Sequence, residues 1–303
     1  VMMTHTETKQ RRLSTRERSI QQALDQLIDQ LNPQQRIAAD PIRFPKRYGD
    51  PLDQEVVALI AALLSYGRVK SIGDTIENLL PALGKRPAKS ALEDFKRQSS
   101  NETTPNRFED FIYRFTRPPD LERVWRGIGY ILFKHKSLGH CMRAYNTSTD
   151  PHLLTAYQGL YNEVIESTLD FPSSRGFHHL FSNPSKGSAL KRINMWLRWM
   201  VRGPDIIDLG SWNDLGPHRL IIPLDVHIYR LSHAIGLTQR KSADLKTAVE
   251  ITSALRRLAP QDPIKYDFAL AHLGISGSCL GFKSPPICEV CPLDKLCSLP
   301  EGR

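Results

Sequence analysis

Apolar residues recur along the chain at intervals of three and four, the spacing of one face of an α-helix. Ile20, Leu24, Leu27, Ile28 and Leu31 make one stripe, Val56, Val57, Ile60, Leu63 and Leu64 a second, and Ile193, Trp196, Leu197, Met200 and Val201 a third. Asp53, ahead of the second stripe, and Asp244, ahead of LKTAVEITSALRRL, read as N-caps whose carboxylates take up free backbone N–H groups. No alternating pattern of useful length interrupts the helical periods, and the 21 prolines fall mostly between them. The chain therefore reads as all-α, with short helices joined by loops. Residues 1–18 are polar and basic without an apolar period and read as a disordered arm. The stretch FKRQSSNETTPNR at 95–107 is the most loop-like part of the interior, and no internal repeat is present.

Composition narrows the class. A chain of 303 residues buries a full core without covalent staples. Its longest apolar run, VVALIAALL at 56–64, is far below the ~18 residues of a membrane span, so a cytoplasmic protein with no membrane partner is expected. Forty-one Lys and Arg against 32 Asp and Glu leave a net charge of +9, which favours an anionic partner such as nucleic acid.

Four of the five cysteines lie within residues 279–297, spaced C-x8-C-x2-C-x5-C as Cys279, Cys288, Cys291 and Cys297. Four thiolates suit either a tetrahedral zinc ion or a [4Fe–4S] cube. Zinc ribbons usually take two C-x2-C knuckles, whereas here one knuckle has a longer arm on each side, which favours the cube and leaves zinc as the alternative. Gly281, Pro285, Pro286 and Pro292 bend the loop. Cys141 stands alone and reads as a buried small hydrophobe.

Two further segments carry candidate chemistry. In RLIIPLDVHIYRLSHAIGL, Pro223 cannot sit inside a helix, and Asp225 precedes Val226, Ile228, Leu231 and Ile235 as an N-cap that also has room to face a substrate. In NPSKGSALKRINMWLRWMV a helix starts after Pro184 and Gly187 with Lys191 in its first turns, and Lys191, Met195, Arg198 and Arg202 share a face whose simplest reading is a solvated basic surface.

Together these segments resemble the endonuclease III-like DNA glycosylases of the helix-hairpin-helix superfamily, over most of residues 53–297. ALIAALLSYGRVKSIGDTIENLLPAL looks like the family's early helix and the loop that enters DNA, GSALKRINMWL like the helix that begins with the catalytic lysine, and PLDVHIYRLSHAIGL like the segment with the catalytic aspartate, ahead of the cysteine loop. The resemblance implies two helical lobes about a DNA-binding cleft. Residues 19–52 with 223–303 would form one lobe, carrying the [4Fe–4S] loop, and 53–222 the helical barrel. It implies a monomeric DNA glycosylase, with or without AP-lyase activity, in which Lys191 is the nucleophile and Asp225 steadies the oxocarbenium-like transition state. Arg68 in the DNA-entering loop, Lys186, Gly187 and Arg192 about the hairpin, and Lys283 and Lys295 at the cysteine loop would contact DNA. Trp196, Trp199 and Trp212 are available to stack on an extracted base.

The departures are specific. The L-P-G-V-G hairpin is replaced by LFSNPSKGSALK, and Lys191 and Asp225 stand 34 positions apart, more like the archaeal 8-oxoguanine glycosylases. Gly67 or Arg68 stands where the family has a glutamine, and the first cysteine arm is longer than C-x6-C. A non-catalytic nucleic-acid-binding protein of the same fold, and a zinc-dependent factor without a nucleic-acid partner, are the alternative readings.

Overall fold

The first helix, α1 (Thr15–Asp29), begins inside the segment read as a disordered arm. Ser14 and Glu17 form a reciprocal cap: the Ser14 hydroxyl accepts the Glu17 N–H at 3.2 Å, and the Glu17 carboxylate accepts the Ser14 N–H at 2.7 Å. That local satisfaction of two free donors starts a helix despite the surrounding basic charge, and it corrects the expectation for residues 15–18. The computed structural model describes residues 12–302, so the rest of the arm, 1–11, lies outside the described residues. Ile20, Leu24 and Leu27 are buried as the stripe predicts.

After α2 (Pro33–Ile37) comes α3 (Pro51–Leu64), in which every residue from Val56 to Leu64 is buried. A helix apolar on all sides has to be surrounded, and α3 packs against α4 (Val69–Leu83), α5 (Pro87–Ser99), α7 (Leu138–Ala144) and α10 (Lys191–Val201). Its cap is Asp50, followed by Pro51 at the first helical position, rather than Asp53. Asp53 points inward instead, accepting the Ala88 N–H at 2.9 Å and Arg86 Nε at 2.8 Å, and so it caps the start of α5. Glu55 does the same for α7: it accepts the Leu138 and Gly139 N–H groups at 2.8 and 3.3 Å and Trp212 Nε1 at 2.7 Å. Burial raises the Glu55 carboxyl above its usual range, and these three donors oppose the rise. Glu55→Ala leaves the buried donors unpaired. A loss of about 3 kcal/mol is expected, read as a lower urea midpoint at unchanged m, with a smaller loss for Glu55→Gln, which keeps one acceptor oxygen.

The helix α5 continues to Ser99, so the loop-like reading of 95–107 holds only beyond that point. There follow α6 (Pro118–His135), α8 (Leu154–Glu166), which packs on α6 and α7, and α9 (Arg175–Leu180). Downstream of α10 lie α11 (Val226–Ala234), α12 (Leu245–Leu258), α13 (Asp267–Ile275) and the short α14 (Pro285–Cys288). The N-terminal α1 packs on α12 and α13, and α11 packs on α13. No strand occurs among the described residues, which makes the fold all-α. None of the described helices is long and apolar enough to cross a membrane.

The basic face read on α10 is not solvated. Arg198 is buried and bonded to Asp208 at 3.2 Å and Asp267 at 2.5 Å, and Arg202 meets Asp205, Asp208 and Asp262 at 2.6, 2.8 and 2.9 Å. Two of these carboxylates come from the long 203–225 connection, whose residues neutralise the helix they follow. Burial pushes the Asp267 carboxyl up to about 6 against the pull of Arg198, with Asp225 and Asp208 adding to the rise.

Candidate functional site

The segment before α10 turns sharply. Pro184–Lys186 form one 3₁₀ turn capped by the Asn183 side chain, Gly187 follows at φ +77°, and Leu190 enters the helix at φ +52°, a left-handed conformation rare for a branched residue. The turn places Lys191 at the first position of α10. Pro223 and Asp225 start α11 in the same region, and Lys191 Nζ stands 3.6 Å from Asp225 Oδ2. The two carboxylate oxygens of Asp225 have different partners. Oδ1 accepts the N–H groups of His227 and Ile228, each at 2.9 Å, and caps the helix, while Oδ2 faces the lysine.

Lys191 lines a cavity of about 800 Å³ together with Lys186, Ser188, Asn183, Tyr161 and His179. The His179 ring meets Tyr66 edge-on at 4.7 Å and Phe115 at 5.1 Å. Burial, with the nearby Arg192 and Arg114 charges, holds the His179 imidazole below its usual range and thus neutral near pH 7. Phe115 is 59% exposed and Ile112 69% exposed. Phe115 belongs to a turn closed by reciprocal Tyr113–Thr116 backbone bonds of 3.1 and 2.8 Å, with Arg114 at φ +50°, and Ile112 immediately precedes it. The turn is clamped to the loop after α3: Tyr66 Oη donates to the Tyr113 carbonyl at 3.0 Å, and Tyr113 Oη donates to the Tyr66 carbonyl. Gly67 (φ +109°) leaves just enough space, since a Cβ there would lie 3.0 Å from Tyr113 Oη. Arg68, beside it, is exposed at the start of α4.

The remaining predicted positions divide. Lys186 and Gly187 are exposed at the turn, and Lys295 is exposed in the cysteine loop. Arg192 points inward: its guanidinium donates to the carbonyls of Leu63 and His179 and lies over the Tyr66 ring, so it fixes α10 to α3 and is withdrawn from any phosphate. Lys283 is bonded to the Asp294 carboxylate and carbonyl at 3.2 and 3.4 Å, which offsets the charge it was expected to present. Trp196, Trp199 and Trp212 are buried in the core, Trp196 and Trp212 edge to face at 5.0 Å, and cannot stack on an external base. His227 packs against Gly274 and takes a 3.4 Å contact from Arg230. Phe115, Ile112 and His179 escaped the sequence reading; the available signal was the alternation of aromatic and arginine residues in FIYRFTR at 111–117.

The four C-terminal cysteines are free thiols on one loop, half-buried, with Cys279 and Cys291 packed against the core. Burial raises the thiol of Cys291, and the other three cysteines add to the rise, so the four groups lie within electrostatic reach of one another. Four thiols this close would, once deprotonated, repel one another and suit a cationic iron–sulfur centre. Among the described residues, no group of three or more His, Cys, Asp or Glu side chains is arranged to hold a single metal ion. Cys141, by contrast, is fully buried, as expected of a small core hydrophobe, and burial pushes its thiol up to about 12.

No curated protein and no solved structure matches the chain. A family model described as a protein of unknown function (DUF2400) matches residues 40–276.

Proposed function

The chain belongs to the DUF2400 family, whose function is unknown, and from the chemistry of its site we propose that it is a DNA glycosylase with AP-lyase capability. The observation that carries this reading is the Lys191–Asp225 pair, whose lysine lines a cavity, with one Asp225 oxygen spent on the helix and the other left for chemistry. A cap alone needs one oxygen and no lysine. In the proposed reaction the Lys191 amine attacks the sugar C1′ and the C1′–N bond breaks, its electron pair leaving on the base. The proton shed by the amine passes to the departing base, and the Asp225 carboxylate stays charged and offsets the positive charge developing on the sugar.

A flipped base would enter the cavity beside His179, and the turn carrying Phe115 stands ready to face the stack it leaves. Cys279, Cys288, Cys291 and Cys297 would hold the [4Fe–4S] group, with zinc the alternative occupant. Bound there, it supplies no bond-breaking chemistry and keeps the loop in a shape that presents Lys295 to the DNA backbone.

Phe115→Ala removes an exposed ring, so the fold is expected to stay intact. Base–aromatic stacking is worth roughly 1–3 kcal/mol. The variant should therefore bind a duplex with a flipped abasic analogue about tenfold more weakly and lose the fluorescence rise of a neighbouring 2-aminopurine, with its salt dependence unchanged. The test of the whole reading is a screen of duplexes bearing oxidised, alkylated, deaminated and abasic sites, scored for released base and strand scission. A protein that binds every duplex yet processes none is a nucleic-acid-binding protein and not a glycosylase.

A further inference from the structure

The turn that replaces the glycine-rich hairpin of the resembling enzymes is braced by a second loop. The Gly187 carbonyl accepts the Leu245 N–H at 3.1 Å, and Ser188 pairs with Asp244 in an isolated antiparallel bridge. The second loop is itself stitched. Thr238 Oγ1 accepts the Arg240 N–H at 3.1 Å, Tyr229 Oη donates to the Arg240 carbonyl at 2.9 Å, and Arg240 Nε donates to Thr247 Oγ1 at 2.8 Å.

Asp244 is fully engaged. Oδ1 caps α12 through the Thr247 N–H at 2.9 Å, and Oδ2 takes Arg240 Nη2 and Ser242 Oγ, each at 2.9 Å. On this frame Lys241 and Lys246 are exposed, and so is Lys186 across the bridge; none of the three has an ion-pair partner among the described residues. Asp244 is matched by Arg240, and Glu250, which accepts Thr238 Oγ1 at 2.7 Å, is the other carboxylate at the loop, so the three lysines leave a net positive charge on two hydrogen-bonded loops. The turn they frame also lines the Lys191 cavity.

We infer that the backbone of the strand lying over the Lys191–Asp225 pair is held by a divided phosphate clamp, with Lys186 from the turn before α10 and Lys241 and Lys246 from the loop before α12. The inference rests on the DNA reading above. It explains how a chain without the glycine-rich hairpin grips a phosphate: ammonium groups act as point charges, need no special backbone geometry, and are held in place by the loops beneath them.

The test is the salt dependence of binding to a duplex containing a tetrahydrofuran abasic analogue, followed by fluorescence anisotropy. Each phosphate released removes about 0.9 from the slope of log K against log salt. Lys241→Ala/Lys246→Ala should flatten the slope by about 1.8, Lys186→Ala by about a further 0.9, with thermal melting unchanged because all three side chains are exposed. An unchanged slope in a double variant whose wild type binds normally overturns the clamp and leaves the glycosylase reading standing. The same flattening in the control Lys85→Ala/Lys96→Ala would overturn it too, since the effect would then belong to total charge. Failure of the wild type to bind any duplex removes both readings.

Discussion

Lys191→Ala is expected to abolish the borohydride-trapped complex between the protein and abasic or lesion-bearing DNA while leaving DNA binding nearly intact. Borohydride reduces a Schiff base to a stable amine, so trapping reports the nucleophile directly. One lysine contributes only a fraction of the backbone attraction, which is why binding survives. The partner variant separates chemistry from structure. Asp225→Asn keeps an oxygen for the His227 and Ile228 N–H groups, and Asn caps a helix about as well as Asp, so its melting curve should match the wild type. Its base-excision rate should fall about a hundredfold or more, because the charge facing Lys191 and the sugar is gone. If Asp225→Asn excises normally and only Asp225→Ala is destabilised, the aspartate is a cap and the mechanism falls. Trapping that persists in Lys191→Ala moves the nucleophile to Lys186, which lines the same cavity.

The second large effect concerns the cysteine loop. Protein purified anaerobically is expected to be brown, with close to four irons and four sulfides per chain, and Cys288→Ser should lose both colour and iron. Cys141→Ser should keep them, since that thiol is buried away from the loop. The Cys288 variant should also weaken DNA binding, because the loop that presents Lys295 would be left with three thiolates and no centre. Stoichiometric zinc without sulfide, from cells supplied with iron, would replace the cube with the alternative ion.

Local patterns in the chain carried much of this fold. The stripes at 56–64 and 193–201, and that at 20–31 up to Asp29, are helical because their apolar period is long and uninterrupted, and Asp225 and Asp244 cap their helices as their positions imply. Asp53 was misplaced by one turn because the Asp50-Pro51 pair, a stronger start signal, was passed over. The Ser14–Glu17 cap was hidden within a run of basic residues. The environments of Arg192, Arg198 and Arg202 had no local signature at all, since their partners, from Leu63 to Asp267, come from distant segments or from an irregular connection. The meeting of Lys191 and Asp225 was readable only through resemblance, because a separation of 34 positions fixes no distance. Phe115 and His179 sit in segments without a period, where exposed aromatics look like any loop.

The position of α3 in the middle of the molecule bears on how the chain is made. Its apolar surface is closed off partly by α10, and Leu63 is tied to Arg192, 129 positions later; Glu55 waits for Trp212, 157 positions later. At translation rates of about 5–20 residues per second, this helix stays uncovered for roughly 6–30 seconds before its last neighbours are made. Over that interval the nascent chain exposes VVALIAALL, its longest apolar run, as a site for non-native association.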